Sequence, residues 1–174
     1  MQFIKYLFKG PAKKIVIDYR LMDKYFQLHD KNLNIIYRSI YIILFKLKHR
    51  EILKKYACDI TPGWKLGGIE FRHPTGIVIG GGAELRDGVI IHQNVTLGAL
   101  RFDSTERRGI PCTQLVKSNT IICAGAKVLG DVTIGENCII GANAVVTKDV
   151  PDNTVVVGYN KHLDNKDTIQ NTRS

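Results

Sequence analysis

The sequence is short of acid where it is richest in base. It is also short of paired cysteines and has no long unbroken apolar run. Residues 1–58 hold 13 Lys+Arg against 4 Asp+Glu, a net +9, while residues 59–174 hold 12 of each. The chain's whole excess charge therefore belongs to one end, which argues against a uniformly basic nucleic-acid-binding domain. The four cysteines, Cys58, Cys112, Cys123 and Cys138, form no CxxC pair, and no histidine spacing completes a zinc pattern. No export signal is read at the start of the chain, so reduced thiols in the cytosol are expected. The most apolar stretch, Leu33 to Leu47, is interrupted by Asn34, Arg38, Ser39 and Lys46, whereas a crossing helix needs about 20 mostly apolar residues. At 174 residues, 44% apolar and 24% charged, the chain has about one domain's length and an ordinary globular composition.

What is present divides at residue 58. In the basic part, Leu33, Ile36, Tyr37, Ile40, Leu44 and Leu47 follow helical spacing, with Asp30 as the expected cap. Lys46, Lys48, His49, Arg50, Lys54 and Lys55 crowd the far end, where cations suit the helix dipole. Ile35, Ile42, Ile43 and Phe45 widen the apolar surface, so this helix is expected to be packed on two sides or to lie in an interface. A weaker helix is expected over Ala12 to Gln27, after Gly10-Pro11.

Beyond Asp59 a repeat of six appears. Ile79, Leu85, Ile91 and Leu97 are spaced by six, as are Val116, Ile122, Val128, Ile134, Ile140 and Val146. Four residues further on in each hexad stand Ala83, Val89, Val95, Thr120, Ala126, Val132, Cys138, Ala144 and Val150, all small or β-branched. Six is neither the helical 3.6 nor the strand 2. It fits short flat strands joined by tight corners, with aliphatic side chains pointing in and glycines such as Gly80, Gly98, Gly135 and Gly141 supplying unusual backbone angles. Stacked coils of this kind bury a continuous column.

The register breaks twice. Ile79 stands one position beyond two full hexads from Leu66, and Val116 one position beyond three full hexads from Leu97. Solenoids extrude irregular segments as loops, so residues 67–78 and 99–115 are where chemistry is expected. Gly80-Gly81-Gly82 lacks the lysine and following helix of a phosphate loop and is read as coil corner. Cys123 and Cys138 fall on small-residue positions and are read as core, and His29, His49 and His162 have no supporting context.

Several segments together carry a resemblance: Asp59-Ile60-Thr61-Pro62, Arg72-His73-Pro74-Thr75-Gly76-Ile77-Val78-Ile79-Gly80, Val95-Thr96-Leu97-Gly98, Ala124-Gly125-Ala126-Lys127-Val128-Leu129-Gly130, Gly141-Ala142-Asn143-Ala144-Val145-Val146 and Lys148-Asp149-Val150-Pro151. Over about residues 58–158 the chain resembles serine acetyltransferases, and more widely the hexapeptide acetyltransferases of capsule, exopolysaccharide and O-antigen clusters. The resemblance implies a left-handed parallel β-helix over 59–158 with loop 99–115; with the basic helical segment over 1–58 that charge and spacing give, and a tail over 159–174, a mainly β protein is expected. The resemblance further implies a homotrimer with sites between neighbouring subunits and acetyl-CoA as donor. His73 falls on the catalytic histidine and Asp59 on its orienting carboxylate. A neutral imidazole would take the acceptor hydroxyl's proton as it attacks the thioester. Gly98, Ala124, Gly125, Ala142 and Lys148 fall on the CoA contacts. No metal is expected, since only His73 and His92 lie in the coil region.

Departures from that family's pattern shape the acceptor expectation. Where the family has an Arg-His pair before the later coils, an ungapped alignment puts Cys112 and Thr113. Arg72 stands where an acidic residue is usual, and the long helical domain is cut to the short segment that ends at Cys58. Arg72, His92, Arg107 and Arg108 are the candidate acceptor contacts. These losses favour a sugar hydroxyl in surface-polysaccharide synthesis as acceptor, with the basic helices approaching the inner face of the membrane. Serine O-acetyltransferase and a non-catalytic trimeric scaffold stand as alternatives.

Overall fold

The computed structural model describes residues 11–29, 34–61, 65–99 and 113–158. Helix α1 (Pro11–His29) begins at a proline, whose fixed φ and missing N–H suit a first helical position. Helix α2 (Ile35–Tyr56) is capped by Asn34, whose side chain accepts from Ile36 N at 3.2 Å. The cap is therefore Asn34 and not Asp30, because the helix starts after the residue the apolar spacing suggested. The helix ends at Ala57, which takes φ +50° and turns the chain into the coil.

The strands that follow are two or three residues long. They are β1 (Asp59–Ile60), β2 (Lys65–Leu66), β3 (Glu70–Phe71), β4 (Val78–Ile79), β5 (Glu84–Leu85), β6 (Ile90–Ile91), β7 (Thr96–Gly98), β8 (Gln114–Val116), β9 (Ile121–Ile122), β10 (Lys127–Leu129), β11 (Val132–Ile134), β12 (Ile139–Ile140), β13 (Val145–Val146) and β14 (Val155–Val156). Every third strand pairs in parallel, except that β12 pairs with β14. The first sheet runs β1-β4-β7-β10-β13, the second β2-β5-β8-β11 and the third β3-β6-β9-β12-β14. This is a left-handed parallel β-helix with three flat walls. An uninterrupted coil is three hexads long, one per wall, since Val78 pairs with Thr96 and Lys127 with Val145.

The interior follows the repeat. All ten aliphatic positions, from Ile79 to Val146, are buried. Burying each such side chain is worth about 1.5–3 kcal/mol, which drives coil stacking. The small-residue column is buried as well. Its one hydroxyl, Thr120 Oγ1, donates to Gly135 O at 2.7 Å and accepts from Cys138 N at 3.1 Å, so no polar atom is stranded there.

The corners depart from the expected glycine roles. Gly80, Gly98, Gly135 and Gly141 follow the aliphatic position but do not take positive φ. The left-handed backbone falls instead on a column of Gly76, Asn94, Gly125 and Asn143, and on a second column of Gly88, Asn119, Asn137 and Asn153. Asparagine tolerates this region better than most residues.

The two helices pack on the base of the coil. Tyr41, Phe45, His49, Ile52 and Tyr56 form the covered side of α2: Tyr25 stacks on Tyr41 and Phe26 tilts against Phe45. Ile15, Tyr19, Met22, Ile52 and Tyr56 join Ile60 and Phe71 in one core. Buried Asp18 accepts from Lys48 Nζ at 2.9 Å and from Tyr56 OH at 3.2 Å, bridging the helices. The stripe Ile36, Tyr37, Ile40 and Leu47 faces outward and is exposed, as is Ile43. Among the described residues, α2 is thus covered on one side.

Candidate active site

The first register break resolves into two opposite ones. Asp59 pairs with Val78, one position further on than three hexads, but Glu70 pairs with Ile90, two positions further on. Relative to the coil above, the chain is one residue short before β3 and two residues long after it. The long corner, residues 72–77, carries Arg72 and His73. His73 is exposed and takes φ +52°, an unusual conformation for a side chain of its size.

That corner is the first of a stack. Asn94 N donates to Thr75 O, Gly125 N to Gln93 O and Asn143 N to Ala124 O, each at 2.9 Å. His73, His92, Ala124, Gly125 and Ala142 therefore share one edge of the β-helix. Gly98 and Lys148 lie on the next edge, across the first sheet, where Gly80 N donates to Leu97 O and Gly130 N to Gly98 O. The expected CoA contacts are thus divided between the two edges that flank one wall. That wall presents Asp59, Val78, Thr96, Lys127 and Val145 outward. Lys127 crosses it, donating to Asn94 O at 2.7 Å and to Thr96 Oγ1 at 3.1 Å.

Asp59 sits beside the His73 corner. Its N donates to Ile77 O at 2.9 Å, and Gly76 N donates to Ala57 O at 3.1 Å. Its carboxylate, however, meets His49 Nε2 at 3.3 Å, and no hydrogen bond joins it to His73 among the described residues. His49 is the residue that spacing failed to single out, because the contact spans a helix end and a strand. Arg72 pairs with Glu70 at 3.1 Å, so its charge is partly answered by its neighbour on β3.

The second break is an insertion. Leu85 pairs with Val116 and Leu97 with Val128, each partner two hexads and one position further on than in the plain coil, where Ile79 pairs with Leu97. Arg107, Arg108 and Cys112 lie outside the described residues. Where the insertion rejoins the coil, buried Gln114 donates to Gly98 O at 3.1 Å and to Gly130 O at 2.6 Å, fixing the root of the insertion to the Gly98 edge. Thr113 donates to Asp131 Oδ1 at 2.6 Å. Burial raises the Cys58 thiol, which keeps it unreactive.

A cleft of about 880 Å³ opens elsewhere, between α1 and the third sheet, with Lys13, Arg20, Ile69 and Glu70 in its walls. None of the expected site residues lines it. Among the described residues no group of three or more His, Cys, Asp or Glu is placed to hold a metal, and no helix is long and apolar enough to cross a membrane.

Comparison with known proteins agrees with the coil. Residues 115–148 match the family model described as bacterial transferase hexapeptide (six repeats). A serine acetyltransferase of Mycobacterium tuberculosis is 48% identical over 101 residues, 58% of this chain and 42% of that protein. One of Staphylococcus aureus strain Mu50 is 39% identical over 113 residues, 64% of this chain and 51% of that protein. The native serine acetyltransferase 1 of Entamoeba histolytica superposes with a TM-score of 0.69 at 28% identity, covering 86% of this chain and 53% of that one. A serine acetyltransferase solved in complex with CoA gives 0.67 at 29% identity, covering 84% and 54%. The chain spans about half the length or less of the curated relatives it matches. These relatives overturn the sugar acceptor. The departures that favoured it lie at Arg72, in the insertion and in the helices, whereas the coil aligns with serine acetyltransferases at 39–48% identity. With the glycan goes the reason for bringing the basic helices to a lipid surface. Over its coil the chain carries the hexapeptide repeat of bacterial transferases and is similar to serine acetyltransferases.

Proposed function

We propose that this chain is a serine O-acetyltransferase, moving acetyl from acetyl-CoA to the hydroxyl of L-serine, with His73 as general base and Asp59 as its orienting carboxylate. The observation that carries the proposal is the long corner at residues 72–77. It presents an exposed histidine on the same edge as His92 and the small residues Ala124, Gly125 and Ala142. Small side chains let a pantetheine arm approach the backbone, with Gly98 across the wall and exposed Lys148 able to meet phosphate. The imidazole takes the serine proton as the oxygen attacks the thioester carbonyl. The C–S bond then breaks, and the departing thiolate recovers that proton from the imidazolium. Acetyl passes directly, with no acyl-enzyme. Arg72 and His92, with Arg107 or Arg108, are assigned to the acceptor, an arginine serving its carboxylate. The working form is a homotrimer with sites between neighbouring subunits, in the cytoplasm. The acyltransferase domain spans 59–158, after helices at 1–58 and before a tail at 159–174.

The test is steady-state CoA release by the full chain. L-serine should stimulate it, and His73→Ala should lower kcat/KM by about 10²–10⁴. Turnover that ignores L-serine, or that survives His73→Ala, overturns the proposal. Failure to bind acetyl-CoA at all would point to the scaffold alternative.

A further inference from the structure

We infer that His49 is a positioning residue: from α2 it sets the side chain of Asp59 and, through it, the imidazole of His73. The inference rests on the proposed serine acetyltransferase activity. His49 Nε2 lies 3.3 Å from Asp59 Oδ1. An ionised carboxylate can only accept, so Nε2 carries the hydrogen and donates.

The imidazole is held from behind. Its ring stacks on Phe45 at 23°, with centroids 6.0 Å apart, and Phe45 packs against the buried core. The rest of this half of α2 is fixed by buried Ile52 and Tyr56 and by the Lys48–Asp18 pair at 2.9 Å. Asp59 is the opposite case. Its backbone is locked by pairing with Val78, but its side chain is 59% exposed. Left alone, it would divide its time among three staggered χ1 wells.

The bond from His49 selects one of these wells and occupies one oxygen. A carboxylate offers about four lone-pair sites, so Oδ2 stays free to accept from His73. Gly76 N, in the corner that carries His73, is tied to Ala57 O at 3.1 Å. The end of α2, Asp59 and that corner are therefore anchored at one junction. Choosing one well of three is worth about threefold in the population of the aligned state, and hence in kcat.

Three variants separate positioning from bulk structure. His49→Phe keeps the stack on Phe45 and loses the donor, His49→Gln keeps an amide donor, and Asp59→Asn removes the charged acceptor. His49→Phe should lower kcat for L-serine by about threefold with KM for acetyl-CoA unchanged, and His49→Gln should stay within about 1.5-fold of the parent. In the Asp59→Asn background His49→Phe should add almost nothing. Full activity in His49→Phe, equal losses in both His49 variants, or losses that multiply with Asp59→Asn would overturn the inference. Imidazole ¹⁵N spectra at fixed pH read the contact without turnover: Asp59→Asn should move the His49 nitrogen signals, and unmoved signals overturn the inference. A parent that ignores L-serine overturns the proposed activity instead, and the spectra then decide the contact alone.

Discussion

Gly76 takes φ +66°, and a Cβ built there would run into Asn94 Oδ1 of the corner above. Gly125 repeats the arrangement against Asn143 Oδ1. In both, a glycine leaves room for the amide of an asparagine that is itself left-handed, so the stacked corners nest. Replacing Gly76 by Ala adds a left-handed penalty of about 1 kcal/mol and a clash, for a total of about 2–3 kcal/mol. Denaturant unfolding should show that loss. The same variant should lower kcat, because residue 76 also anchors the His73 corner to Ala57. Gly88→Ala, whose Cβ would run into Asn119 Oδ1 in the second column, should destabilise comparably and leave the His73–Asp59 junction alone. Equal kcat in the two variants would break the link between Gly76 and that junction.

Among elements, the walls are legible in the sequence and the corners are not. A period of six forces the aliphatic positions into one column, and burial of Ile79, Leu97, Val128 and Ile140 follows from spacing alone. Counting aliphatic residues reports only the sum of insertions, so a loss of one residue before β3 and a gain of two after it read as a single extra residue. The asparagine columns escape a reading that looks to glycine alone for left-handed corners. For α2, spacing finds a stripe but not its cover: Tyr41, Phe45, His49, Ile52 and Tyr56 are as helically spaced as the outward stripe, and only the partner α1 decides between them. His49 could not be found this way, since its partner lies across the left-handed turn at Ala57. The insertion root offers an element-scale test. Gln114→Leu keeps the volume but takes the side-chain donor from two half-buried carbonyls, leaving Gly98 O with Gly130 N alone and removing the amide from Gly130 O. A cost of about 2 kcal/mol in chemical unfolding is expected. Because Gly98 is an assigned donor contact, KM for acetyl-CoA should rise while kcat changes less. An unchanged KM would detach the insertion root from the donor side.

At the scale of the whole molecule, the helices and the coil share one core, and Asp18 is the polar group inside the joint. Lys48 feels burial, which lowers its pKa, but hydrogen bonds and charge from Glu51 and Asp18 outweigh this and hold it above 10.5. The Tyr56 hydroxyl is pushed up from 10.0, first by burial and then by Asp18. Both groups bind their protons more tightly folded than unfolded. Their contribution to stability is therefore fully present below the unfolded values, near 10, and is lost as pH rises through the folded ones. The helices should loosen from the coil above about pH 10, seen as tyrosinate absorbance rising together with a falling unfolding midpoint. Asp18→Asn removes an anion that touches both groups, leaving Glu51 on Lys48. It should cost about 1–2 kcal/mol at pH 7, since the hydrogen bonds from Lys48 and Tyr56 lose their charged acceptor while Lys48 keeps Glu51 at 2.7 Å. It should also flatten the alkaline decline. An Asp18→Asn protein as stable as the parent at pH 7, with the same alkaline slope, would mean that apolar contacts alone hold the helices to the coil.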